Sequence, residues 1–226
     1  MPDLFGSLLP AVVDDDRARV KELLDLDPAL ARCGLGEGDR YDSKIAHWIY
    51  RGDTALHVAA AGYRVEVARM LLKAGADIAA AGNRRCSQPL HYAADGYLDS
   101  ESWDAEQQVA MIRLLLKAGA VIDAQDKNGA TPLHRAVRTR CAAAVKCLLD
   151  AGAGATIRNK PGSTPFHLAV QPTGRGGSGS EKAQTAQREI LQAFLERGVS
   201  PTLTDARGKS VLEWARSDSV RLILQG

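Results

Sequence analysis

The chain has 226 residues, 45% of them apolar and 25% charged, and its 29 Lys and Arg nearly balance 27 Asp and Glu for a net charge of +2. These values exclude general disorder, and the near-neutral balance is far from the strongly basic one that marks a dedicated nucleic-acid binder. A chain of this size buries roughly 70% of its extended surface on folding, so its core needs neither disulfide nor metal.

At the amino end, Leu4 to Val13 is mildly apolar, but no basic segment precedes it and Asp14, Asp15 and Asp16 follow where a cleavage site would stand. A secretory signal is not expected, and no apolar run reaches the roughly 18 residues that a membrane span needs. Cys33, Cys86, Cys141 and Cys147 form no CxxC pair, which fits reduced thiols in a cytoplasmic protein. Residues 8–30, with Val20, Leu23, Leu24 and Leu26 after the acidic triplet, predict a helical cap within residues 1–30. A connector over 31–52 holds His47, Trp48 and Tyr50.

Internal repetition then takes over. Asp53-Thr-Ala-Leu-His-Val-Ala-Ala, Ser87-Gln-Pro-Leu-His-Tyr-Ala-Ala, Ala130-Thr-Pro-Leu-His-Arg-Ala-Val and Ser163-Thr-Pro-Phe-His-Leu-Ala-Val align. Each precedes a second apolar stretch ending in a turn: Met70-Leu-Leu-Lys-Ala-Gly-Ala, Leu114-Leu-Leu-Lys-Ala-Gly-Ala, Cys147-Leu-Leu-Asp-Ala-Gly-Ala and Ala193-Phe-Leu-Glu-Arg-Gly-Val. Thr before Pro predicts an N-cap with Pro at the first helical position, and the Gly after the second stretch predicts a helix C-terminus. Each unit is turn, helix, turn, helix, too small to bury its own apolar face, so the units must stack. Ser210-Val-Leu-Glu-Trp-Ala keeps the register with Glu213 in place of histidine, and a short helix around Val220, Leu222 and Ile223 closes the chain.

The histidines fall at 57, 91, 134 and 167, in steps of 34, 43 and 33 residues. These segments resemble the ankyrin repeat, with its period of about 33 and its T-P-L-H-x-A signature. The resemblance implies an all-α solenoid of stacked helix-turn-helix units with projecting hairpins, carrying two cap repeats and about four full repeats in one domain over 1–226. The repeats run 53–86, 87–129, 130–162 and 163–208, with the C-terminal cap at 209–226. The Ala-, Arg- and Gly-rich usage suggests a bacterial source.

Three stretches break the period. Besides the connector, about ten extra residues fall at Asp95 to Gln108 and about thirteen near Pro172 to Ala183, each between a first and a second helix. Stacked at 8–10 Å per helix, these two loops should lie roughly 20 Å apart. Between them sits the turn Arg138-Thr139-Arg140-Cys141, with Arg140 where the family usually places Gly.

In ankyrin proteins the concave groove is lined by hairpin tips and by residues after the motif His. By resemblance these positions are Tyr50, Arg51, Asp53, Arg84, Arg85, Tyr92, Asp95, Lys127, Asn128, Arg135, Arg138, Lys160, Gln171, Arg207 and Lys209. The stripe is mainly basic, and Trp103 and Arg175 stand in the flanking loops. It is read either as hydrated turn residues or as a surface for an anionic feature of a partner protein.

The letters of Gly174-Arg-Gly176-Gly-Ser-Gly179 match GxGxxG, but a dinucleotide site needs a strand before it, so a solvated loop or an amide nest for an anion remains. His57, His91, His134 and His167 recur roughly 10 Å apart, too far to share a zinc. The resemblance assigns them to hydrogen bonds with neighbouring turn backbone. Cys147 reads as a core residue and Cys141 as a surface-edge thiol.

No catalytic motif and no cofactor or metal site is found. The expected function is therefore a non-enzymatic, monomeric protein-binding module. The alternative is a small-anion-binding protein or enzyme whose pocket is formed by the inserted loops and the Arg135, Arg138 and Arg140 cluster. Nucleic-acid binding is the weaker third reading.

Overall fold

The structure, a computed structural model, describes residues 4–36, 40–101, 103–173 and 179–226. The chain gathers into two compact units, Met1–Ala93 with Asp99–Val121, and Ala94–Leu98 with Ile122–Gly226. The main division falls between Val121 and Ile122, after the second helix of the second full repeat, and the short stretch Ala94–Leu98 of that repeat belongs to the second unit. Among the described residues no helix is long and apolar enough to cross a membrane.

In the first unit, α1 (Leu4–Val13) and α2 (Arg17–Leu26) form the cap repeat, and a 3₁₀ turn follows at Pro28–Arg32. The cap thus starts about one turn before residue 8, and its second helix is N-capped by Asp16, which accepts from the Arg19 amide. Val20, Leu23 and Leu24 are buried, whereas Leu26 points to solvent, because it falls off the stripe that the other three define.

The connector is not featureless. Strands β1 (Arg40–Asp42) and β2 (His47–Ile49) pair antiparallel with Tyr41 opposite Trp48, and that hairpin is seated by the buried Ile45, Ile49 and Tyr50. α3 (Ala55–Ala61) and α4 (Val65–Lys73) complete the next repeat; α5 (Pro89–Ala94) and α6 (Ala105–Lys117) make the following one, apart from Ala94. Every side chain of α3 is buried, and five of the seven are Ala or Val, so close neighbours can pack on all sides of it.

The second unit holds α7 (Pro132–Arg138) with α8 (Ala142–Asp150), α9 (Pro165–Ala169) with α10 (Glu181–Leu195), and α11 (Val211–Trp214) with α12 (Asp218–Gln225). Its core runs through Leu133, Val137, Val145, Leu148, Phe166, Ile190 and Phe194, with the two phenyl rings stacked at 4.7 Å. In α12 it is Val220 and Leu224 that are buried while Leu222 is exposed, as a 3.6-residue period requires.

The two insertions lengthen second helices as well as loops. α6 has 13 residues and α10 has 15, against nine in α4 and α8. Asp104 caps α6 through the Glu106 and Gln107 amides, and Ser180 caps α10 through the Ala183 amide, so each helix starts inside the expected loop. Nor do the two loops stay the expected 20 Å or so apart: the Lys182 ammonium, at the start of α10, donates to the Leu98 carbonyl.

Candidate functional site

The T-P-L-H segment is a closed hydrogen-bond device. Thr54, Thr131 and Thr164 cap α3, α7 and α9, and in each the histidine three residues on completes a capping box, with its Nδ1 accepting the cap residue's own amide. That leaves Nε2 to carry the proton, and it donates to a carbonyl of the next hairpin: His57 to Ser87 at 2.9 Å, His134 to Ser163 at 3.1 Å and His167 to Lys209 at 3.1 Å. Burial lowers the pKa of all three rings and keeps them neutral. At α5 the same bond runs from the Gln88 backbone amide to His91 Nδ1, but Gln88 has no hydroxyl to complete a capping box. In the last repeat Glu213 does the capping-box work, accepting from the Ser210 amide and hydroxyl.

The hairpins are built on Asx residues, all buried except the half-buried Asn159. Asp126 Oδ1 accepts the Asn128 and Ala130 amides; Asp205 Oδ1 accepts those of Arg207 and Lys209; Asn83 and Asn159 serve Ser87 and Ser163. Consecutive tips are laced by backbone bonds, Lys160 amide to Asn128 carbonyl and Ala206 amide to Gly162 carbonyl. At Gly129 (φ 71°) a Cβ would come within 2.9 Å of the Lys160 amide nitrogen, so both the turn and the close approach require glycine.

This arrangement sends acids inward and cations outward. Asp126 and Asp205 are buried, while Lys127, Asn128, Lys160, Arg207 and Lys209 are exposed at the tips. Burial by itself would raise the Asp126 carboxyl, but the Arg135 guanidinium and the two turn amides outweigh it and hold it below the usual range. In the first unit Arg51 and Arg84 are exposed, and the guanidiniums of Arg84 and Arg85 lie 4.6 and 4.8 Å from the centre of the buried Tyr50 ring. Tyr92, also buried, donates its hydroxyl to Asp53, which accepts the Tyr50 amide too; burial keeps the Asp53 carboxyl above its ordinary value.

The arginine cluster of the middle repeat departs from expectation. Arg135 is 4% exposed and clamped between Asp95 at 2.9 Å and Asp126 at 2.6 Å. Arg140 is also buried; it takes φ 61°, the glycine-like conformation of its turn, and donates to the carbonyls of Leu168, Ala169 and Gln171 at the end of α9. With no carboxylate paired to it among the described residues, burial lowers its pKa to about 10. Only Arg138 reaches solvent, at 3.5 Å from Asp95. Arg135 and Arg140 are therefore internal ties, and the three arginines do not line an open anion pocket. Cys141 is fully buried, not a surface-edge thiol, because its turn is covered by that network.

Of the remaining expected positions, Gln171 is exposed, and half-buried Trp103 is held by its indole N–H on Gln108, which in turn donates to the Ala93 carbonyl. Arg175 and most of the Gly-rich segment lie outside the described residues. Among the described residues no group of three or more His, Cys, Asp or Glu is placed to hold a metal ion.

A cleft not foreseen as such lies at the last hairpin. A cavity of about 500 Å³ is lined by Gln171, Pro172, Asp205, Arg207, Lys209, Glu213, Trp214 and Arg216. Arg216 sits three residues beyond Glu213, outside the repeat motif, so only the turn after α11 reveals its role.

Comparison with known proteins agrees with this geometry. A family model described as ankyrin repeats in three copies matches residues 103–178, and a single ankyrin-repeat model matches residues 51–83. Among solved structures, an ankyrin repeat domain from Acinetobacter baumannii AYE is 24% identical, covers 97% of this chain and 94% of its own, and superposes with a TM-score of 0.67. That likeness is one of fold. No curated protein matches the sequence.

Proposed function

Because the chain is an ankyrin-repeat protein, a family of generally non-enzymatic protein-binding modules, we propose that it grips a partner protein with an acidic surface. The observation that carries this reading is the segregation of charge in the hairpins. Asp126 and Asp205 are spent on backbone amides beneath the surface, while Lys127, Lys160, Arg207 and Lys209 above them are exposed. Within the second unit Arg138 adds to the surface offered, with Asn128 and Gln171 as neutral contacts and Arg135 as a buried support. Within the first unit Arg51 and Arg84 offer a basic surface of their own, with Tyr50 and Tyr92 buried beneath it and Arg85 sharing the Tyr50 ring with Arg84. Hairpins laced by backbone bonds hold these groups before binding, which lowers the entropy lost on association.

The module works as a monomer that holds or masks its partner. The free state of all four cysteines supports a cytoplasmic setting. Affinity capture from a lysate of the source organism tests this reading, comparing the wild type with a Lys127→Glu, Lys160→Glu, Arg207→Glu variant. A specific protein is expected with the wild type and lost with the variant; equal capture by both would refute the basic surface.

A further inference from the structure

The cavity at the last hairpin is chemically different from the hairpin tips. Its cations Arg207, Lys209 and Arg216 make no side-chain hydrogen bond or ion pair among the described residues, and all three are exposed. Its two acids are engaged by neutral donors, Asp205 on both oxygens and Glu213 on one. Asp205 takes the Arg207 and Lys209 amides on Oδ1 and the Trp214 indole N–H on Oδ2 at 3.1 Å, and Glu213 takes Ser210 on Oε2. The indole, fixed by that bond and packed edge-on to His167 at 5.4 Å, gives the cavity a rigid aromatic wall, with Pro172 as a second apolar surface.

From this we infer that the cavity seats an acidic linear segment of the partner protein, carrying an apolar residue flanked by carboxylates. The apolar residue would lie against Trp214 and Pro172, and the flanking carboxylates would meet Arg207, Lys209 and Arg216, with Arg able to bind in a bidentate fork. The volume of about 500 Å³ is within the ~300–1,000 Å³ of ligand clefts. Its rim residues Gln171, Pro172, Arg207, Lys209, Glu213 and Arg216 are all exposed, which suits a chain that enters and leaves, whereas a free small ligand is bound by enclosing most of its surface.

The inference rests on the protein-binding reading and is tested apart from it. In a Trp48→Phe, Trp103→Phe background of the full chain, Trp214 becomes the only indole, and its emission reports on the cavity directly. Titration with an acetylated Glu-Glu-Leu-Glu-Glu peptide should give a saturable emission change that weakens as salt is raised. Affinity should fall at least tenfold in Arg207→Glu, Arg216→Glu, whose fold is checked by circular dichroism. The Lys-Lys-Leu-Lys-Lys peptide should give no response, and sodium citrate should bind more weakly than the acidic peptide. Absence of a saturable change, unaltered affinity in the double variant, or citrate binding as tightly as the peptide would each overturn the assignment. Loss of the peptide response with partner capture intact removes this cavity and leaves the protein-binding reading standing.

Discussion

The turn of the middle repeat and the hairpin of the last one each gather three cations, and they use them in opposite ways. Arg135 and Arg140 are buried and committed to carboxylates and helix-end carbonyls, whereas Arg207, Lys209 and Arg216 are exposed with no side-chain partner among the described residues. The difference lies in where the acids point. Asp126 turns one oxygen to its own hairpin and the other to Arg135, and Asp95 closes over the same guanidinium; Asp205 gives its second oxygen to Trp214 instead. The second oxygen of Asp126 thus makes a brace of Arg135, whereas Arg140 is braced by helix-end carbonyls and the second oxygen of Asp205 goes to an indole.

The contrast is broken most severely by Arg135→Met. It leaves Asp95 and Asp126 buried without their cation, and the expected loss is about 3 kcal/mol or more in urea unfolding. A loss below about 1 kcal/mol would place the cluster with ordinary surface pairs.

Acid should act on the ties between repeats. His57, His134 and His167 have folded pKa values below the ordinary 6.5, so protons bind the unfolded chain first. Their contribution is complete above about pH 6.5 and is lost as pH falls below that value toward their folded pKa. Between pH 6.5 and 5.5 the cost is about 1 kcal/mol for each ring whose folded pKa lies well below that window. Unfolding curves at the two pH values measure it, and a flat response would mean that the rings accept protons in the fold.

Gly129→Ala sharpens the account of the hairpins themselves, since a methyl would press on the Lys160 amide in a left-handed turn. About 2 kcal/mol of destabilisation is expected in the same assay. At the small end, Lys127→Ala and Arg207→Ala should move stability by less than about 0.5 kcal/mol, because their exposed side chains make no hydrogen bond or ion pair among the described residues.

These effects also mark what the sequence could tell. Capping boxes and tip glycines are local, set by residues three or four apart, so the T-P-L-H helices and their stacking were legible. The fate of Arg135 was not, because one of its partners lies 40 residues away in an inserted loop. Arg140 was legible only as an oddity in a glycine position; that it reaches the carbonyls ending α9 depends on how close the next repeat stacks. The β1–β2 hairpin was missed because two three-residue strands leave no periodicity to read. The cavity at Trp214 was half visible: Arg207 and Lys209 stood in the basic stripe, but Arg216 lies beyond any repeat position.

The most direct test of the central claim, that exposed hairpin cations bind while buried arginines only support, is partner capture beside thermal unfolding for the Lys127→Glu, Lys160→Glu, Arg207→Glu variant. The account predicts that the captured protein is lost while the melting temperature stays within a few degrees of wild type. Capture undiminished in a variant that melts normally would contradict it.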